Sequence, residues 1–216
     1  MTLTYDPAEA VAALERADRR LAKIIRRAGP FTHRPEKAQS PFHSLLRAIV
    51  FQQLHGKAAA TILGRVTVQC GGARGLKPEV ILAQSDAKMR AAGLSRNKLL
   101  AVRDLAAKTL DGTVPSLAKL RKLDDAEILE RLTEVRGIGP WTVEMLLIFR
   151  LGRPDVLPVS DFGVRTGYKV VYGTPEMPTP KELLAHGERW RPYRSVASWY
   201  MWRAVDLARE DQQKKK

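Results

Sequence analysis

Residues 132–142 read Leu-Thr-Glu-Val-Arg-Gly-Ile-Gly-Pro-Trp-Thr, and this stretch decides the predicted fold. Apolar residues recur at helical spacing before it and after it, so a helix is expected on either side. Between the helices, Gly137 and Gly139 flank one apolar residue, and Pro140 takes the first position of the second helix. Glycine permits a positive φ and lets another backbone approach closely. The stretch therefore predicts a hairpin of two helices joined by a glycine turn.

The start of the second helix is suited to binding an anion. The first amides of a helix lack partners within it and lie at the positive end of its dipole. They can hydrogen-bond a phosphate without reading any base. An ordinary corner between packed helices, with glycines serving only the packing, is the alternative that this stretch alone leaves open.

Charge and cysteine content narrow the class of protein. The 216 residues include 37 Lys and Arg against 23 Asp and Glu, a net charge of +14, which predicts a polyanionic partner such as nucleic acid or an anionic membrane. The single cysteine, Cys70, excludes an internal disulfide and an iron–sulfur cluster, which needs about four thiolates. The sequence has no signal-peptide core and no apolar run of about 18 residues. We therefore expect a cytoplasmic protein with no membrane partner.

The remaining sequence predicts an all-α fold. Apolar residues recur three and four positions apart, and alternating β-branched runs are scarce. Caps, prolines and glycines bound the predicted helices. These helices are expected over 7–28, 41–53, from about 57 onward, 78–91, 95–110, 116–121, 124–134 and 140–151, with two or three more after Asp161.

Two features downstream of the hairpin carry a resemblance. Residues 152–155 read Gly-Arg-Pro-Asp, and Asp161 stands twenty positions after Trp141. Together with the hairpin, this loop and aspartate resemble the helix–hairpin–helix DNA glycosylase superfamily (HhH-GPD), in its 3-methyladenine DNA glycosylase II branch. The resemblance extends from Phe42 to Trp202. It implies two helical sub-domains flanking a DNA-binding cleft, 42–155 with the hairpin and 1–41 plus 156–216 with the aspartate.

The resemblance implies base excision repair of alkylation damage. The expected enzyme is a monomer that flips alkylated purines, such as 3-methyladenine, out of double-stranded DNA and hydrolyses the N-glycosidic bond, leaving an abasic site. Breaking this bond develops positive charge on the sugar, which the carboxylate of Asp161 would stabilise, or that carboxylate would position water. A helix start at Asp161 would favour its ionised form. Asp155, the competing carboxylate, is expected to be a turn or cap residue.

Trp141 bears on the type of reaction. Bifunctional relatives that nick the strand through a Schiff base carry a lysine two residues after the second hairpin glycine, where this chain has Trp141. We therefore expect no lyase activity. An indole face also attracts a cationic alkylated base. The resemblance adds Met145, Phe162 and Trp202 to the base pocket, and because some relatives carry tyrosine at the first two positions, the substrate range stays open.

A second short turn is expected to act on the duplex. Residues 51–56, Phe-Gln-Gln-Leu-His-Gly, interrupt helical sequence and resemble the turn that carries the family's wedge. A flipped nucleotide leaves a gap that an apolar or planar side chain can fill. Leu54 or His55 would fill it, with His55 the first choice, while Gln53 would contact the opposite base or brace the turn.

Further residues are expected to contact the DNA backbone. Phosphate contacts are assigned to Gly137, Gly139, Arg136, Lys57, Ser95, Arg96 and Lys98. The resemblance also implies a sodium or potassium ion on the hairpin carbonyls of Thr133, Val135 and Ile138, and no other cofactor. Three alternatives stay open: a non-catalytic hairpin module, a lyase for oxidised bases, and a glycosylase for another damaged base.

Overall fold

The computed structural model describes residues 3–35 and 40–214, which form helices and, within those ranges, no strand. The all-α prediction is confirmed. The helices are α1 Pro7–Ala17, α2 Arg19–Ala28, α3 Pro41–Phe51, α4 Gly56–Gln69, α5 Pro78–Ala83, α6 Asp86–Ala91, α7 Arg96–Leu110, α8 Leu117–Leu120, α9 Asp125–Thr133, α10 Pro140–Leu146, α11 Phe162–Tyr172, α12 Pro180–Gly187 and α13 Arg194–Lys214. A π-helical segment, Leu147–Leu151, continues α10, and a 3₁₀ turn, Glu188–Trp190, follows α12.

Two of the predicted helices are each two helices in the structure. In both, a capping side chain begins the second helix, while the spacing of apolar residues continues across the break. The helix expected over 7–28 breaks at Asp18, whose carboxylate accepts the amide protons of Arg20 and Leu21 and so caps α2. The helix expected over 78–91 breaks before Asp86, where Ser85 caps α6. Periodicity detects the buried face of a helix, not the cap that interrupts it.

The described residues separate into two compact units, with boundaries between residues 37 and 38 and between residues 143 and 144. We call the stretch between these boundaries the central unit and the two outer stretches together the terminal unit. In the central unit, α7 packs against α3 and α5. The core there includes Leu46, Ile49, Leu99, Val102 and Leu105.

The terminal unit is built around α13, which packs against α11 and α2. Its core contains Trp190, which is fully buried, and Trp199 packs against the same cluster. No helix among the described residues combines the length and the apolar character needed to cross a bilayer.

A buried carboxylate fixes the position of α11 within the terminal unit. Asp18 accepts hydrogen bonds from the Tyr172 hydroxyl at 2.5 Å and from the Trp190 indole at 3.2 Å, and its Oδ2 lies 3.3 Å from Nε2 of His186. Burial alone would raise the pKa of Asp18, but these hydrogen bonds and that of the Leu21 amide outweigh it and hold the pKa below its ordinary value. The network ties α2, α11 and α12 together, and α11 begins next to Asp161.

Candidate active site and nucleic-acid interface

Asp161 is the N-cap of α11, the helix start that the sequence predicted. Its Oδ1 accepts the Val164 amide proton at 2.7 Å and the Trp202 indole proton at 2.9 Å. Asp161 and Trp202 are thus brought together, although 41 positions separate them in the sequence. Two donors on one oxygen orient the carboxylate, and the helix dipole favours its negative charge.

Trp202 is held in place by residues that the sequence analysis missed. The ring of Phe149 stacks on it with a centroid separation of 5.5 Å and an interplanar angle of 29°, and His33 meets the edge of Phe149 at 5.0 Å. A Cβ on Gly163 would lie 2.7 Å from Cδ1 of Trp202 and 3.1 Å from Oδ1 of Asp161. Gly163 therefore leaves the space that the indole occupies, and its position directly after Asp161-Phe162 was the one sequence signal available.

Glu144 was also missed by the sequence analysis. Its Oε2 is buried and has no hydrogen-bond partner. Burial, together with the nearby negative charge of Asp161, raises the pKa of Glu144 from 4.5 to about 7. The terminal unit therefore contains two interacting carboxyl groups, and a single acidic residue within the apolar run 141–149 was the signal that could have identified the second.

The loop before Asp161 is fixed by ion pairs within the terminal unit. Asp155 Oδ1 accepts a bond from Nε of Arg194 at 2.7 Å, and Oδ2 accepts one from Arg191 at 2.6 Å. The amide of Ser195 donates to the carbonyl of Pro154 at 2.9 Å. Asp155 is thus engaged in holding the loop against the start of α13, which agrees with the structural role expected for it.

The predicted hairpin is present in the central unit, where α9 ends at Thr133 and α10 begins at Pro140. Val135 and Ile138 are buried, and Gly137 has a φ of +79°. Gly139 does not adopt a positive φ, so of the two hairpin glycines only Gly137 uses the left-handed conformation that glycine permits. A Cβ on Gly139 would meet no atom of the protein within 4 Å. Because glycine has no side chain, the space beside Gly139 is open to a group from outside the protein.

The turn between α3 and α4 contains the three wedge candidates. We call residues 52–55 the wedge turn. Gln53 has a φ of +55° and is the one non-glycine residue with a positive φ in the described part of the chain. Leu54 is 39% exposed, and His55 is the exposed residue before α4, where its side chain makes no capping bond. The sequence did not reveal the strained backbone at Gln53.

Hydrogen bonds connect the wedge turn and the hairpin. Nε2 of Gln52 donates to the Gly137 carbonyl at 2.8 Å. Nζ of Lys98 donates to the carbonyls of Val50 at 2.6 Å and Gln52 at 2.8 Å. These bonds use two of the three ammonium protons, and the phosphate contact expected of Lys98 stays a prediction. The sequence showed a lysine at a helix start but not the two carbonyls it would reach.

The other residues assigned to phosphate lie at the surface. Lys57, Arg96 and Arg136 are exposed, and the first two lie in the first turns of α4 and α7. Ser95, at the predicted start of the helix over 95–110, is the N-cap of α7, and its hydroxyl accepts the Lys98 amide proton at 3.3 Å. The amide of Arg136 donates to Asp104 Oδ2 at 2.7 Å.

The remaining pocket candidates lie near the two helix starts. Trp141 is in the first turn of α10, in the central unit, and is 47% exposed. Met145 lies one turn later on the same helix and is half-buried. Phe162, the first residue of α11, is 69% exposed, which is unusual for a large aromatic side chain.

The profile of HhH-GPD superfamily base excision DNA repair proteins matches residues 46–192, more than half of the chain. The chain belongs to the HhH-GPD superfamily. It is 38% identical over 190 residues to DNA-3-methyladenine glycosylase 1 of Schizosaccharomyces pombe, with 88% of this chain and 82% of that protein covered. The family resemblance identified in the sequence is confirmed.

Solved structures of HhH-GPD relatives agree with this assignment. A DNA-3-methyladenine glycosidase from Bacillus halodurans superposes with a TM-score of 0.84 at 38% identity, covering 97% of this chain and 94% of that one. The 3-methyladenine DNA glycosylase Mag1 of Schizosaccharomyces pombe, in complex with abasic DNA, superposes with a TM-score of 0.73 at 37% identity. The match covers 90% of this chain and 95% of that one.

Proposed function

We propose that this HhH-GPD protein is a DNA-3-methyladenine glycosylase, which hydrolyses the N-glycosidic bond of alkylated purines in double-stranded DNA. The observation that carries the proposal is the carboxylate of Asp161, which caps α11 and is oriented by Trp202. The similarity to 3-methyladenine DNA glycosylases over most of the chain supports the substrate class.

Asp161 acts on the sugar of the flipped nucleotide. As the bond between C1′ and the base nitrogen breaks, its electron pair leaves with the purine and positive charge develops on the sugar. An oriented carboxylate stabilises that charge, and water then adds at C1′ and releases a proton to solvent, which leaves the hydroxyl of the abasic sugar. Alkylation at N3 or N7 makes the purine cationic, so it departs without a strong general acid. The aromatic side chains of Trp141, Phe162 and Trp202 are assigned to the base, because aromatic faces attract cations. Met145 is the fourth residue assigned to the base pocket.

The central unit is assigned to binding the DNA backbone. The backbone amides of Gly137 and Gly139 are assigned to a phosphate, and exposed basic side chains add electrostatic attraction. These side chains are Lys57, Arg96 and Arg136, while Ser95 supplies the capped start of α7. Binding should weaken steeply as salt rises, because phosphate contacts release counterions.

A sodium or potassium ion fits the hairpin by the chemistry of its carbonyls. The Val135 carbonyl accepts one hydrogen bond, from the Ile138 amide at 3.0 Å, and a carbonyl oxygen has two lone pairs. The carbonyls of Thr133, Val135 and Ile138 would hold the ion, which would neutralise part of a phosphate's charge. The hairpin backbone contributes only these three carbonyl oxygens to the ion.

The wedge turn is assigned to the gap that the flipped nucleotide leaves. Leu54 and His55 are exposed at its tip, and His55 is the preferred wedge; Gln53 contacts the opposite base or supports the turn. Because Trp141 stands where bifunctional relatives have lysine, no amine is available there for a Schiff base. The product is therefore an intact abasic site.

One experiment tests the proposal. The protein is incubated in excess with duplex DNA carrying a single 3-methyladenine analogue or methylated purines, and released base is measured over a single turnover. We expect base release and, after borohydride is added, no covalent adduct. Binding without release would support a non-catalytic hairpin module, and a trapped adduct would contradict the assignment of Trp141. A panel of defined lesions would then establish the substrate range.

A further inference from the structure

Lys98 reaches from α7 to the end of α3. Its ammonium nitrogen lies 2.6 Å from the carbonyl oxygen of Val50 and 2.8 Å from that of Gln52. The last carbonyls of a helix have no partner within it, so these two oxygens need an external donor. The ammonium group is part-buried, and this burial lowers the pKa of Lys98.

Both carbonyls lie just before the strained residue of the wedge turn. Gln53 holds a φ of +55°, a left-handed conformation that is unfavourable for a non-glycine residue and persists only where its surroundings enforce it. The Gln52 carbonyl belongs to the peptide group that leads into Gln53. Fixing that peptide plane therefore restricts the backbone of Gln53 directly.

The same helix also holds the hairpin. Asp104 accepts the amide proton of Arg136 at 2.7 Å, and Lys108, one turn further along α7, donates to the carbonyl of Glu134. Gln52 completes the connection, because its side chain donates to the Gly137 carbonyl while its own carbonyl accepts from Lys98. One helix thus determines the position of both surface elements that are assigned to DNA.

We propose that Lys98 is a positioning residue, which holds the wedge turn in its strained shape and in register with the hairpin, so that wedge and phosphate contacts form together on the duplex. This inference rests on the proposed function. It differs from the phosphate contact that the sequence suggested for Lys98, and the two roles predict different behaviour.

Lys98→Met removes both hydrogen bonds and keeps the length of the side chain. We expect single-turnover release of a fully paired lesion to fall about tenfold or more, the effect of roughly one lost charge-assisted hydrogen bond. Release of the same lesion opposite an abasic-site analogue should change less than about threefold, because that site is already open. Lys98→Arg, which can still donate to both carbonyls, should recover part of the loss.

Salt dependence separates positioning from phosphate contact. A lysine on a phosphate contributes about one to the slope of log affinity against log salt, and Lys98→Met would lower that slope. A positioning residue leaves the slope at its wild-type value. Lys122→Met is the matched control, since it removes one exposed positive charge before the start of α9, at the end of that helix opposite the hairpin.

A fluorescence measurement tests the inference without relying on base release. With 2-aminopurine placed opposite the lesion, a correctly held wedge turn unstacks the probe and raises its emission on binding. We expect Lys98→Met to lose most of this increase at saturating protein, while the control retains it and both variants melt within a few degrees of wild type. An undiminished signal, or a lowered salt slope, would overturn the inference. Failure of base release by the wild type would instead count against the proposed function.

Discussion

Trp202 donates its indole proton to Asp161 Oδ1 at 2.9 Å, on the same oxygen that caps α11. A capping carboxylate is ordinarily oriented by backbone amides alone. Here α13 adds a second donor, and the space for the indole exists because position 163 is glycine. The side chain assigned to the chemistry is therefore held by the folded terminal unit before any DNA is bound.

The first prediction concerns the charge of Asp161. Asp161→Asn retains an oxygen that can accept both the Val164 and Trp202 protons, so the helix cap survives while the negative charge is lost. We expect base release to fall at least about a hundredfold, because charge stabilisation of the transition state is removed. Binding to an abasic-site duplex, measured by fluorescence anisotropy, should stay within a few fold of wild type. Release close to the wild-type rate would contradict the catalytic assignment.

The second prediction concerns the orientation of that carboxylate. Trp202→Phe keeps an aromatic ring against Phe149 but removes the donor to Asp161. We expect base release to slow about tenfold, the effect of one hydrogen bond to a charged group. Trp199→Phe is the matched control, because Trp199 packs against the core and should leave the rate nearly unchanged. Equal rates for the two variants would contradict an orienting role for the indole.

The third prediction separates the two hairpin glycines. Gly139→Ala introduces a Cβ that meets nothing in the protein and requires no positive φ, so the variant should fold with wild-type stability. A phosphate approaching the hairpin would meet that methyl group, and we expect affinity for undamaged duplex to fall about tenfold. Gly137→Ala, at a φ of +79°, should lose about 1 kcal/mol of stability as well. Melting curves and anisotropy titrations measure these effects, and unchanged affinity for Gly139→Ala would argue against backbone contact there.

The fourth prediction concerns His55, which is exposed at the tip of the wedge turn. His55→Ala removes a planar side chain that can fill the gap in the base stack. Base release should slow more for a fully paired lesion than for the same lesion in a mismatched or bulged site, where flipping costs less. The ratio of the two single-turnover rates is the measured quantity. A uniform decrease in both rates would instead indicate a general contact with the DNA.

The fifth prediction concerns pH and Glu144, whose pKa rises from 4.5 to about 7 in the folded protein. Below pH 4.5 the carboxyl group is protonated in both the folded and the unfolded protein, so it does not change the unfolding free energy. As pH rises to about 7, the unfolded chain loses this proton while the folded protein retains it, so the unfolding free energy falls. Glu144→Gln should therefore match wild type near pH 4 and be more stable by about 1–2 kcal/mol near pH 8, because solvent screens part of the cost for this half-buried group.

Denaturant melts at several pH values measure this difference directly. Glu79→Gln, at an exposed position on α5, is the control and should track the wild type throughout. A constant offset between Glu144→Gln and wild type across the pH range would contradict the raised pKa. Base release by the same variant would show whether the proton on Glu144 also affects the chemistry.

Local features were predicted well because they depend on neighbours in sequence. The hairpin between Thr133 and Pro140, the cap at Ser95 and the helix start at Asp161 each follow from backbone conformation and capping within a few residues. The division of the first predicted helix at Asp18 was missed, because apolar spacing continues across a residue that caps the second half. Family membership also followed from the sequence, since a short motif and its spacing carry it.

Contacts between distant segments were decided by the tertiary structure. Asp161 could be proposed from its spacing, but its bond to Trp202 requires the packing of α13 against α11. Lys98 carries the same charge in the sequence whatever its partner, and only the folding of the end of α3 against α7 brings the carbonyls of Val50 and Gln52 within its reach. The identity of a residue specifies which bonds it can make, and the folded chain determines which partners lie within reach.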